Sequence, residues 1–131
     1  MKPFMQDKKL YEYAIIRLVP YVDRGEFINV GVALFSKEKR YLKFKFELNN
    51  ERIKALAPQI DIKEVEEHLH AFQKICEGGK EGGFIGAQDM PSRFRWLTAK
   101  RSTIIQSSEV HPGYTVDLDE TLQCIFDQMV G

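Results

Sequence analysis

Two arginines, a carboxylate and an amide lie close together early in the chain, in the order Arg17, Arg24, Glu26 and Asn29. A guanidinium presents paired donors in a fixed plane that matches the oxygens of a phosphate or carboxylate, so this set could hold an anionic small molecule. An enzyme would have to work here too, with Glu26 as acid or base and the arginines stabilising charge. The plainer reading pairs Arg17 with Glu26 and leaves Asn29 to satisfy turn backbone, because polar groups near sheet ends are generally bonded internally. The residue types favour that structural clasp over a site, and nothing in them compels catalysis.

A second set is basic and aromatic. Arg93, Arg95, Lys100 and Arg101 surround Phe94 and Trp96, while Lys37, Lys39, Arg40, Lys43 and Lys45 follow one another along a hairpin. Cations interleaved with rings can grip phosphates and stack bases. Nineteen basic and nineteen acidic side chains nevertheless cancel to a net charge of zero, so no whole-molecule field draws the chain to nucleic acid or an anionic membrane. A solvated surface is therefore the favoured reading of both clusters.

Other chemistry finds little support. His68 and His70 stand two apart on a helix and cannot share a metal on one face, and His111 lies alone in a turn. Cys76 and Cys124 lack CxxC spacing or neighbouring ligands, so both are read as reduced thiols. Gly78-Gly79-Lys80-Glu81-Gly82-Gly83 lacks the Gly-Lys-Ser/Thr ending and preceding strand of a phosphate loop, and reads as a flexible connection near 78–88. No cofactor or metal is implied. The first nine residues carry no apolar leader and no run is long enough to span a bilayer, which predicts a cytoplasmic protein.

The elements that must position these residues begin with a hairpin. Tyr11 to Val19 alternates with apolar residues on both faces, as in a strand covered on two sides, and Pro20 ends its ladder. Phe27 to Phe35 and Tyr41 to Leu48 alternate in turn, the latter placing Leu42, Phe44, Phe46 and Leu48 inward and Lys43, Lys45 and Glu47 outward. Short connections predict an antiparallel meander. All even-numbered positions are expected on the core face, with Arg17 opposite Asn29, Ile15 opposite Gly31 and Tyr13 opposite Ala33.

Helices follow. Glu51 to Ala57 is stopped by Pro58, and Asp61 with Glu64 opens a longer helix whose Ile62, Val65, Leu69, Phe72 and Cys76 share one face. Pro91 starts a short helix through Ala99. Ser102 to Ser107 is a candidate fourth strand, Val110 to Gly113 has turn composition, and Asp117 caps a final helix with an apolar stripe from Leu118 to Val130. The expectation is one α+β domain over residues 1–131, an antiparallel meander of three to four strands with helices packed on one face.

The run Tyr11-x-Tyr13-Ala14, Arg17-x-Val19-Pro20, Arg24-Gly25-Glu26-Phe27-x-Asn29-Val30-Gly31-Val32, with Ile104-Ile105-Gln106-Ser107 before an acid-capped terminal helix, resembles the bacterial domain-of-unknown-function family numbered 3037. The resemblance covers nearly the whole chain. It implies a small bacterial protein with no assigned activity, and a partner among kinases of the HipA type, whose genes such families often neighbour. Together the readings lead to a non-catalytic binding or accessory module. An anionic-ligand enzyme or sensor at the hairpin, and a nucleic-acid surface at Arg93, Arg95, Trp96, Lys100 and Arg101, are the alternatives. Oligomeric state is not legible.

Overall fold

A computed structural model describes residues 8–131. The reading of the opening residues as leaderless, and of a domain beginning at residue 1, touches residues 1–7, which lie outside the described residues. The architecture is α+β, as expected: strands β1 (Lys9–Leu18), β2 (Ile28–Ser36) and β3 (Tyr41–Phe46) form the meander. Helices α1 (Asn50–Leu56), α2 (Ile62–Glu77), α3 (Gly83–Gly86) and α4 (Met90–Thr98) follow, then strands β4 (Ile105–Ser107) and β5 (His111–Thr115), and helix α5 (Leu118–Met129).

The helix boundaries follow from local chemistry. The Asn49 carboxamide accepts from Arg52 N at 3.1 Å, Asp61 from Lys63 and Glu64 N, Asp89 from Ser92 N at 2.9 Å, and Asp117 from Glu120 N at 3.1 Å. Each side-chain oxygen satisfies a backbone donor that an open helix would leave bare, typically a gain of about 1 kcal/mol.

The sheet departs from expectation in three ways, each with a physical cause. First, it has five strands. Its order is β3-β2-β1-β4, with β5 also on β1. Strands β4 and β5 share one edge of β1, β4 opposite Ile16 to Leu18 and β5 opposite Lys9 to Tyr13. Ser108 bridges the break between them, its N donating to Ile15 O and its Oγ accepting from Ile15 N, both at 2.8 Å. Val110 to Gly113, expected as a turn, thus runs into a strand. Pro112 is tolerated because an edge strand does not need every N–H, and Gly113 admits the Tyr11 ring, which a Cβ would meet at 2.5 Å.

Second, the register slips by one. Arg17 does lie opposite Asn29, but Ile16 pairs with Gly31, Ile15 with Val32 and Tyr13 with Leu34. The bulge leaves Val30 as the extra residue and reverses the alternation beyond it. Ile16, Leu18, Val30, Ala33 and Phe35 share a face, and Ile15, Val32 and Leu34 take the other, so even numbering does not mark the core. Gly31 accommodates the crowding, for a Cβ there would sit 2.7 Å from Phe44 Cε1.

Third, helices cover both faces. Ile53, Val65, Leu69, Phe72, Ile75, Phe94 and Leu97 pack with Ile16, Leu18, Phe35 and Phe44 on one side. Leu118, Leu122 and Phe126 of α5, with Val130 just beyond its end, pack on Ile15, Val32 and Leu34 on the other. Fully burying one such side chain contributes roughly 1.5–3 kcal/mol, so this smaller core is a substantial part of the fold. Lys43 and Lys45, expected to point outward, lie along α5, Lys43 exposed as expected and Lys45 half-buried. Lys43 Nζ meets Asp119 Oδ1 at 2.9 Å, and Lys45 Nζ bonds the Gln123 side chain and lies 4.9 Å from the Phe126 ring centre. A long lysine stem can cover a helix flank in this way.

Among the described residues, no helix is long and apolar enough to cross a membrane.

Candidate functional site

The hairpin crown is built by the chain between β1 and β2. Val19 N donates to Ile104 O at 2.7 Å, anchoring the exit from β1 before Pro20 ends the ladder. Residues Val22–Arg24 make one tight helical turn, closed by Arg24 N to Tyr21 O at 3.0 Å. Gly25 then turns the chain at φ 69°, a left-handed conformation that favours glycine.

This path separates the four candidate residues into two pairs. Arg24 Nη2 bonds Glu26 Oε1 at 2.9 Å on the open surface. The acid's partner is therefore Arg24, not the expected Arg17, since the helical turn brings residues two apart together at the tip. Below them, Arg17 and Asn29 are cross-strand neighbours on the face that carries α5. Asn29 Nδ2 donates to Met129 O, 3.0 Å away at the helix end, so it serves a helix terminus rather than the turn. Arg17 stacks its guanidinium 4.2 Å from the centre of the Phe27 ring. Arg17 Nε and Asn29 Oδ1 are both buried without a hydrogen-bond partner.

Four residues outside the expected set complete the crown. Phe27 is 46% exposed and Tyr21 38% exposed, and each carries an arginine, since Arg24 Cζ lies 5.4 Å from the Tyr21 ring centre. Val22, 42% exposed, adds a third apolar side chain. The signal for them was present in the sequence: aromatics flanking an Arg-Gly-Glu turn cannot all turn inward. Gln106 of β4 is the other cross-strand neighbour of Arg17 and extends the polar row.

The basic and aromatic set divides as well. Arg93 is buried and donates to Gln88 O at 3.1 Å, Ile75 O at 3.2 Å and Cys76 O at 2.7 Å. It closes the carboxyl end of α2 and is not offered to a ligand, because a guanidinium fork suits several terminal carbonyls at once. Arg95 points to Ser92 Oγ at 3.1 Å, and Lys100 is exposed, 3.8 Å from Glu109. Only Trp96 and Arg101 come together, the guanidinium 4.4 Å from the indole ring centre.

The remaining titratable groups are placed structurally. Among the described residues no cluster of three or more His, Cys, Asp and Glu side chains could hold a metal ion. His70 sets its ring edge-on to Phe46 and His111 lies against Tyr13. Burial pushes the Cys76 thiol up to about 12, which leaves it protonated at neutral pH, whereas Cys124 is exposed. Gly78 to Gly86, expected as a flexible connection, forms a helical turn at Lys80–Gly82 and the single-turn α3, tied by Gly79 N to Gly86 O at 2.8 Å.

Comparison with known proteins gives one match. The family model described as "Protein of unknown function (DUF3037)" matches residues 13–130. No curated protein and no solved structure matches the chain.

Proposed function

We propose, from the premise that the chain belongs to the DUF3037 family, that it is a non-catalytic accessory module of bacterial, cytoplasmic origin that binds a partner protein through its hairpin crown. The observation that carries this reading is the exposure of Tyr21, Val22 and Phe27 around the Arg24–Glu26 pair. Aromatic and arginine side chains are the types that dominate binding energy at protein interfaces, and large rings left in water gain most from being covered. The arginines lying on those rings hold them in place, which lowers the ordering cost of association. A HipA-type kinase is the partner proposed, on the family resemblance alone.

The test is co-expression with a HipA-type kinase, followed by gel filtration. Co-elution of the wild-type chain, lost on Phe27→Ser or Arg24→Ala without a change in melting temperature, supports the reading. A kinase that elutes separately from the folded wild-type chain removes that partner. Co-elution that survives both substitutions moves the interface away from the crown.

A second reading rests on the unpaired Arg17 Nε and Asn29 Oδ1, a donor and an acceptor buried on two cross-strand neighbours. Such groups carry a desolvation cost of about 1–3 kcal/mol each unless a polar guest meets them. In this reading the crown senses a phosphate or carboxylate compound. Arg17→Ala and Arg24→Ala then abolish its binding while changing stability by less than about 1 kcal/mol. Unfolding on both substitutions makes the crown structural.

A further inference from the structure

A cleft of about 500 Å³ opens between the outer side of α2 and the segment leaving α4. Phe72, Trp96, Ile104 and Ile105 supply its apolar wall, and Glu64, His68, Arg101 and Thr103 line the rest. Phe72 and Trp96 meet edge to face at 5.5 Å, so the floor is a rigid aromatic corner. Small-molecule sites are commonly of this size and kind, mostly apolar with a few fixed polar groups.

The fixed polar group is Arg101. Its guanidinium stacks on Trp96 at 4.4 Å and lies 5.5 Å from the Phe72 ring centre, and Nη2 donates to the Trp96 carbonyl oxygen. That single hydrogen bond leaves most of the five-donor fork uncommitted. Among the described residues no carboxylate lies within ion-pair distance of it. Glu64, on the α2 lip, is directed to His68 at 3.9 Å instead. Burial lowers the Arg101 pKa from its usual value, the mark of a cation taken partly out of water without compensation. An anion delivered into the cleft would supply that compensation, and its apolar body would cover the ring corner.

We propose that this cleft binds a small amphipathic carboxylate, the carboxylate on Arg101 and the apolar body against Phe72, Ile104 and Ile105. The site is separate from the hairpin crown and does not depend on a protein partner. It also accounts for the pairing of Trp96 with Arg101 without a nucleic acid, for which Arg93 is already committed to backbone carbonyls.

Trp96 is the only tryptophan in the chain, so its emission reports on the cleft directly. The experiment titrates the full chain with 4-phenylbutyrate and, separately, with its neutral isostere 4-phenylbutanamide. The expected result is a saturable change in Trp96 emission with the carboxylate and affinity for the amide weaker by about tenfold or more. Arg101→Gln is expected to erase that preference and Arg101→Lys to retain part of it, with calorimetry as a readout independent of the indole. Equal affinity for acid and amide in the wild-type chain overturns the role of Arg101 whatever the variants do. No saturable binding of the acid up to about 10 mM overturns the site. Displacement of the acid by inorganic phosphate at equal ionic strength reduces the cleft to a simple anion site and overturns the amphipathic requirement.

Discussion

Arg17 and Asn29 face one another across β1 and β2, and Asn29 directs its amide nitrogen 3.0 Å to the carbonyl of Met129 at the end of α5. The first hairpin is thereby tied to the last helix of the fold through a side chain one hundred positions away in sequence. The helix end also carries the bonds Val130 N and Gly131 N to Phe126 O, at 2.8 and 3.0 Å.

Asn29→Ala removes that tie while leaving the strand pair intact. The expected loss is about 1 kcal/mol, the net worth of one hydrogen bond between a side chain and a helix carbonyl. Urea denaturation checks the magnitude, and amide exchange checks the place. Protection should fall at Val130 and Gly131 and stay unchanged in β1. A uniform loss across the sheet would show that Asn29 supports the bulge and not the helix.

This tie explains what could and could not be read from residue order. The opposition of Arg17 and Asn29 was legible because the turn sets the near end of the hairpin, and the caps Asp61 and Asp117 because an acid before an amphipathic run has one efficient use. The bulge at Val30 was not, since Val-Gly-Val-Ala-Leu reads as unbroken alternation in either register. Ignorance of the bulge put Val32 and Leu34 on the wrong face and hid the second core under α5. Lys43 stays exposed as its alternation indicates, whereas Lys45 is half-buried against the helix that this second core carries. Within the site, Arg24, Glu26 and Arg17 were found as types, but which arginine meets the acid depends on the helical turn at Val22–Arg24, and composition does not encode that turn.

Arg93 is the clearest case of a functional-looking cation with a structural task. It supplies three hydrogen bonds to carbonyls at the end of α2 and in the segment before α4 from a buried position. Arg93→Met keeps the stem and removes the fork, leaving those carbonyls unmet. The expected destabilisation is about 2–4 kcal/mol, since each charge-assisted bond carries more than a neutral one and the carbonyls stay buried. Arg93→Lys should recover only part of it, because an ammonium cannot span all three acceptors. Chemical denaturation of both variants measures this. A change below about 0.5 kcal/mol for Arg93→Met would return the residue to the surface set.

The contact between β3 and α5 predicts a dependence on acid. Asp119 accepts from Lys43 Nζ at 2.9 Å and from the Tyr41 hydroxyl at 2.7 Å, and these two bonds, the lysine's first, hold its carboxyl below the usual aspartate value. Tyr41 is shifted in the other direction, raised first by its own burial and then by the carboxylate it donates to. A carboxyl whose folded pKa is depressed stabilises the fold above its unfolded pKa, about 3.9, and that contribution disappears as pH falls through the folded value. Asp89, lowered by its bonds from Ser92, adds to the same trend. The wild-type melting temperature should therefore be level from about pH 7 to pH 5 and fall below about pH 4. Asp119→Asn should melt lower than wild type at neutral pH, show a shallower acid decline, and converge with wild type at the acid end. Curves that stay parallel across the whole range would mean that Asp119 titrates alike in the folded and unfolded chains, and that the clasp on α5 is held by Tyr41 and Lys43 without help from its charge.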